Sequence, residues 1–221
     1  MRKANPAMAY QKKGKIKTKQ YQPSIRITQD WCAWDSETLV ADADDQLESP
    51  LAVLTLIQAN IRKSPADVSF IVRLPEDIDE SVWLFEHLRL VCLQLNHLVA
   101  LLLPECIPSV EECREMKAGE WQYLCAAHSS PQPLKEYPQC SAIDYIIHTL
   151  DGAGALLNNT KLFPSRVTIP LASKKHFSAI ARRLYRVFAH AWFHHRVIFD
   201  EFENETSLYR RFFALCTVEF K

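Results

Sequence analysis

The chain has 221 residues, 48% of them hydrophobic, and a formal net charge of zero. That length suits one domain plus a tail, with a sizeable core. Zero net charge excludes a global field that would draw the protein to nucleic acid or a membrane, so any binding site is a local patch. No apolar run reaches the roughly 20 residues that span a bilayer. No apolar stretch follows the basic first residues, so a secretory signal is not expected. The expected location is cytoplasmic, with peripheral endomembrane or nuclear association allowed. Seven cysteines, an odd number, read as metal ligands and buried thiols in a reducing compartment rather than as a disulfide framework. Gly accounts for only 4 residues, which argues against phosphate-cradling loops and tight β-turns and in favour of helices.

Residues 1–26 carry eight basic side chains (Arg2, Lys3, Lys12, Lys13, Lys15, Lys17, Lys19, Arg26) and no acidic one. Residues 27–50 carry seven acidic side chains (Asp30, Asp35, Glu37, Asp42, Asp44, Asp45, Glu48) and no basic one. Blocks of like charge are usually solvated and poorly ordered. Residues 1–48 are therefore expected to be a flexible tail, with a docking arm for an acidic partner as the alternative, and residues 49–221 to be the folded domain.

Order is expected to start at Ser49-Pro50, a capping residue followed by a first-turn proline. Leu51, Leu54, Ile57 and Ile61 then recur at helical spacing, and Ser64-Pro65 marks a loop. Residues 79–103 form the strongest predicted helix. Val82, Phe85, Leu88, Cys92, Leu95 and Val99 make one apolar stripe, widened by Leu84, Val91 and Leu98. A helix apolar over so much of its surface belongs at the centre of a bundle, and Pro104 ends it. Residues 105–140 read as irregular, with a short strand pair near 121–125. Ser141 with Asp144 resembles a capping box and opens a helix to residue 157. Ser173 is expected to cap a long helix to residue 200, and a last helix covers 205–220, with Thr206 near its start. The fold class is all-α, a helical bundle with one long irregular insertion. The chain stops directly after its last expected helix, so a longer native C-terminus is allowed for.

Cys106 and Cys113 bracket a loop just after the central helix, and His190, His194 and His195 sit towards the end of the long one. Two thiolates and two imidazoles are a sound tetrahedral zinc set; packing thiols and ordinary histidines are the other reading. On a straight helix, positions i and i+4 share a face while i and i+5 lie about 140° apart, so spacing alone selects His190 with His194. A catalytic zinc is disfavoured, because Ala191 stands where a zinc protease motif has its general-base Glu. Four protein ligands would also leave no open position for water. A nucleic-acid zinc finger is disfavoured too, since 76 residues separate Cys113 from His190 and finger modules have about a dozen. Arg182, Arg183 and Arg186 can share one patch at i, i+3 and i, i+4 spacing. Spacing alone reads them as a solvated basic face paired with carboxylates elsewhere. A phosphorylated Ser or Thr gripped by guanidinium groups is the alternative.

The stretch Arg182-Arg183-Leu184-Tyr185-Arg186-Val187-Phe188-Ala189-His190-Ala191-Trp192-Phe193-His194-His195 resembles the signature helix of Mob proteins. Residues 50–62 (PLAVLTLIQANIR), 83–97 (WLFEHLRLVCLQLNH), 121–128 (WQYLCAAH), 140–152 (CSAIDYIIHTLDG), 163–167 (FPSRV) and 199–206 (FDEFENET) match in the same order, so the resemblance covers about residues 50–220. The AIDY…HTLDG and FDE-ENET stretches are similar to the phocein-like branch of that family. The resemblance implies a Mob-type bundle stapled by one structural zinc, with ligands Cys106, Cys113, His190 and His195, the second histidine falling five residues after the first. Relatives have four residues between the two cysteines and this chain has six, so Cys125 and Cys140 stand as substitutes for Cys113. It also implies phosphopeptide binding at Arg182, Arg183 and Arg186. Trp83 matches a tryptophan that kinase-activating relatives place on an acidic surface, but Glu76, Asp77, Asp79 and Glu80 do not align one for one and that site is not carried over.

By resemblance the chain is a non-catalytic adaptor of a striatin-type phosphatase–kinase complex. Its partners would be a striatin-like scaffold, protein phosphatase 2A subunits and germinal-centre or tail kinases. A Mob co-activator binding a tail (NDR/LATS-like) kinase directly is the alternative. A metallohydrolase is the third reading. No nucleophile–base pair supports it, and His128 and His148 read singly as structural.

Overall fold

The computed structural model describes residues 49–128 and 140–219, except the side chains of 218 and 219. The charged segment expected over residues 1–48 lies outside the described residues. Seven α-helices and one two-stranded hairpin make up the described chain.

Helix α1 (Ala52–Lys63) starts later than the sequence predicts. The Leu51 N–H donates to the Ser49 hydroxyl (3.2 Å) and the Ala52 N–H to the Ser49 carbonyl (3.0 Å), so residues 49–51 form a turn before the helix. The expected loop at Ser64-Pro65 is followed by α2 (Val68–Val72), a short helix missed by the sequence reading and capped by Asp67, whose carboxylate accepts from the Phe70 N–H.

Helix α3 (Glu80–Leu102) is the centre of the bundle. Asp79 caps it by accepting from the N–H groups of Ser81 (2.9 Å) and Val82 (3.1 Å). All nine residues of the predicted stripe and its widening are buried. The helix packs against α1, α4 (Ala142–Leu157), α5 (Lys175–His194), α6 (Arg196–Thr206) and α7 (Leu208–Glu219). The first turns of the helix, residues 81–88, are buried on every side, and this encloses Glu86. Arg166, in the chain before α5, answers that carboxylate with a two-pronged contact, Nε lying 2.7 Å from Oε1 and Nη2 meeting Oε2.

The capping box at α4 is present in altered form. The Ser141 hydroxyl accepts from the Asp144 N–H (3.3 Å) and donates its own proton to the Asp144 carboxylate (2.6 Å). Three expectations are corrected. Ser173 does not cap α5; its hydroxyl donates to the Leu162 carbonyl (2.6 Å), and a 3-10 turn over Leu171–Ser173 leads in. The helix expected to run to residue 200 is broken at His195 (φ −133°, ψ 49°), giving α5 and α6. The last helix does not begin near 205, because Ser207 takes a left-handed conformation (φ 49°) and starts α7 afresh. Thr206 closes α6 by donating to the Phe202 carbonyl (2.8 Å).

The insertion carries a 3-10 turn (Glu111–Cys113) and the antiparallel hairpin β1 (Lys117–Ala118) and β2 (Trp121–Gln122), with Lys117 opposite Gln122 and Ala118 opposite Trp121. The pairing begins a few residues before the expected 121–125. It is closed by Gly119, whose positive φ of 58° suits a two-residue hairpin turn. A side chain there would also meet the Phe193 ring at 3.3 Å. A scarce residue is thus spent on a tight turn that its scarcity argued against.

Candidate metal centre

Cys106 follows the end of α3 directly, its N–H donating to the Leu102 carbonyl at 2.7 Å. Cys113 closes the 3-10 turn. His190 lies in the last turns of α5 and His195 at the α5–α6 break. The structure brings these four together: one ligand atom from each lies within 4.8 Å of all the others. Cys106 Sγ is 3.4 Å from His190 Nε2, and Cys113 Sγ is 3.3 Å from His195 Nε2. Cys106, Cys113 and His190 are buried and His195 is half-buried.

The His190 Nδ1 sits 2.7 Å from the Lys117 carbonyl. A carbonyl only accepts, so Nδ1 carries the proton and Nε2 keeps its lone pair towards the thiols, an outer-shell bond that orients a metal-binding imidazole. Burial pushes the His190 imidazole down to about 4 and also lowers His195, so both are neutral at pH 7. Burial pushes both thiols up. Such a site presents two ready nitrogen ligands and two thiols that a cation would deprotonate. The donor set can hold a metal.

The helix break resolves the conflict between spacing and pattern. His195 leaves the helical conformation, so its ring is no longer bound to a straight helix's 140° separation from His190. His194 lies beside His190, the two rings tilted by 39° with centroids 4.9 Å apart, and its Nε2 has no hydrogen-bond partner among the described residues.

The pattern of the Mob1/phocein family matches residues 59–221 of the chain. The chain belongs to that family. It is 50% identical over 184 residues to the MOB-like protein phocein of Caenorhabditis elegans, covering 83% of this chain and 77% of the relative. It is 47% identical over 186 residues to MOB kinase activator-like 4 of Drosophila melanogaster, covering 84% and 78%. A more distant likeness, 31% over 149 residues and covering 66% and 46%, is to the DBF2 kinase activator protein MOB1 of Saccharomyces cerevisiae. Among the described residues no helix is long and apolar enough to cross a membrane.

In this Mob/phocein chain the three arginines lie on α5 one to two turns before His190. Arg182 and Arg183 are exposed and Arg186 is half-buried. Arg186 donates to the Tyr145 hydroxyl (2.7 Å) and its guanidinium lies 4.7 Å over the Tyr123 ring. Among the described residues no carboxylate forms an ion pair with any of the three. Trp83 is only 3% exposed, packs edge-on to His87 and donates to the Val72 carbonyl (3.2 Å), so it serves the core.

Sequence reasoning missed a second constellation. Cys125, His128, Cys140 and His148 also bring one ligand atom each within 4.8 Å of all the others. Cys125 and Cys140, weighed as substitutes for Cys113, belong instead with the two histidines read as lone structural residues. The available signal was the tight Cys125-x-x-His128 spacing.

Proposed function

We propose that this chain is a non-catalytic Mob/phocein-type adaptor subunit of a striatin-type phosphatase–kinase assembly, whose Arg182, Arg183 and Arg186 receive a phosphopeptide. The observation that carries this reading is a helix face with three guanidinium groups and, among the described residues, no carboxylate paired to them. Like charges at i, i+3 and i, i+4 repel, and a dianionic phosphate gripped by planar guanidinium forks relieves that repulsion. Arg186 is already oriented by Tyr145 and Tyr123, which lowers the ordering cost of binding.

Cys106, Cys113, His190 and His195 hold a structural zinc in this reading. Two thiolates and two imidazoles in a tetrahedral arrangement suit zinc, and four protein ligands leave no position for a reactive water. The ion's part is to clamp the insertion against the end of α5. The likeness to phocein supports a striatin-like scaffold and protein phosphatase 2A subunits as partners, with germinal-centre kinases. The second reading is a co-activator that binds a tail kinase directly, favoured by the kinase-activator names of the fly and yeast relatives.

Calorimetry with matched phosphothreonine and unphosphorylated peptides tests the patch. Binding should require the phosphate, and Arg183→Ala should weaken it by about 10- to 100-fold, the loss of roughly 1.5–3 kcal/mol from a charge-assisted bond. Equal affinity for both peptides refutes the phosphate role. Capture from extract separates the partner readings, striatin-type scaffold and phosphatase subunits against a tail kinase.

A further inference from the structure

We infer that Cys125, His128, Cys140 and His148 form a second structural zinc site, separate in its residues from the first, that pins the far end of the insertion to α4. Cys125 Sγ lies 3.5 Å from His148 Nδ1, Cys140 Sγ lies 3.6 Å from the same nitrogen, and His128 Nε2 lies 2.9 Å from Cys140 Sγ. Sulfur at about 2.3 Å and nitrogen at about 2.0–2.1 Å from a tetrahedral ion are about 3.6 Å apart. Two of the three separations already match that spacing. The third is shorter and widens when an ion enters between the atoms.

The four ligands come from two structural sources, as in a stapled site. Cys125 and His128, with two residues between them, lie in the chain just after β2, a spacing that wraps an ion with one short loop. Cys140 immediately precedes the α4 cap Ser141, and His148 lies within that helix. Two soft thiolates with two imidazoles select zinc over calcium or magnesium. Zinc displaces the protons of such thiols directly.

The staple has a structural consequence. Tyr123, two residues before Cys125, lies under the Arg186 guanidinium, and Tyr145, three residues before His148, accepts from it. An ion joining Cys125 to His148 fixes these two partners relative to each other.

Elemental analysis of the purified full chain, expressed with zinc and reductant, tests the inference. Wild type should hold about two zinc ions per chain, and His128→Ala and Cys140→Ser should each hold about one. His128 is exposed, so His128→Ala should keep its helical circular dichroism even if Cys140→Ser does not fold. About one zinc in wild type, unchanged in His128→Ala but lost in Cys113→Ala, overturns the inference and leaves the first site standing. A single zinc lost in His128→Ala and kept in Cys113→Ala upholds it and removes the first site instead. A reduced, zinc-loaded preparation whose Cys125 and Cys140 alkylate as fast with zinc as after chelation also overturns it.

Discussion

His194 and His195 offer the sharpest perturbation, because helix spacing and the folded geometry choose differently between them. His195→Ala removes the ring whose Nε2 lies 3.3 Å from Cys113 Sγ. Cys106, Cys113 and His190 remain, a three-ligand remnant with much weaker affinity. With free zinc about a thousandfold above Kd, loading contributes about 4 kcal/mol to the native state. Losing it should lower the melting temperature of a domain this size by about 8–16 °C, at roughly 2–4 °C per kcal/mol. His194→Ala deletes a ring whose Nε2 has no hydrogen-bond partner among the described residues, so its cost should stay at about 1 kcal/mol, with zinc retained. The assay is zinc per chain together with scanning calorimetry, both variants in the same zinc-buffered solution. Zinc lost in His194→Ala and kept in His195→Ala refutes the reasoning, since a continuous helix would then be supplying the ligands.

Two further outcomes are expected. Arg166→Leu leaves the fully buried Glu86 carboxylate with only the looser contact of Arg89 at 3.9 Å and should cost about 3 kcal/mol by urea denaturation, the low end for a broken buried pair, most of it recovered when Glu86→Leu is added. Burial, and secondarily Arg211, push the His87 imidazole down to about 3 from an unfolded value of 6.5. Below pH 6.5 the unfolded chain takes up a proton that the native chain refuses. Stability present in full above that pH is lost on acidification, by about 2 kcal/mol between pH 6.5 and 5, until the loss levels off near the folded value. His87→Leu should flatten that slope relative to wild type in urea titrations at matched pH, and an unchanged slope would show that His87 does not carry it.

The central helix was legible because its stripe is continuous and its ends carry strong signals, Asp79 before it and Pro104 after it. The break at His195 was not, because it is neither Gly nor Pro and the apolar pattern runs through it; a break was expected between residues 200 and 205, but its place at Ser207 was not. Ser207 is held in its left-handed turn by tertiary contact: it is 1% exposed, and Glu203 reaches past it to accept from the Tyr209 (2.7 Å) and Arg210 (3.0 Å) N–H groups. Single-helix periodicity carries no such information. The four first-site residues were named from a family pattern, and helical spacing alone would have substituted His194. The second cluster escaped for a different reason. Its two halves are separated by residues 129–139, and His148 lies within an amphipathic helix, where a lone histidine has no local mark of a ligand.

The break at His195 disturbs little of the local hydrogen bonding. The His195 N–H still donates to the Ala191 carbonyl and its carbonyl still accepts from the Phe199 N–H, both at 2.9 Å, so the bonds of a continuous helix persist on either side of the turn. Arg196 bridges the junction, its guanidinium 4.8 Å over the Trp192 ring of α5 while Nε donates to Asp200 of α6 at 2.8 Å. A five-residue histidine spacing, awkward on a straight helix, is thereby accommodated with the flanking bonds intact. The consequence reaches the arginines, because Arg186 precedes His190 by one turn on the same rigid helix. Whatever ties His190 to Lys117 and the two cysteines also sets the distance between Arg186 and Tyr123, whose N–H is bonded to Met116 in that same insertion (2.8 Å). A metal held by the four residues would therefore be mechanically joined, through α5 and the hairpin, to the geometry of the basic patch.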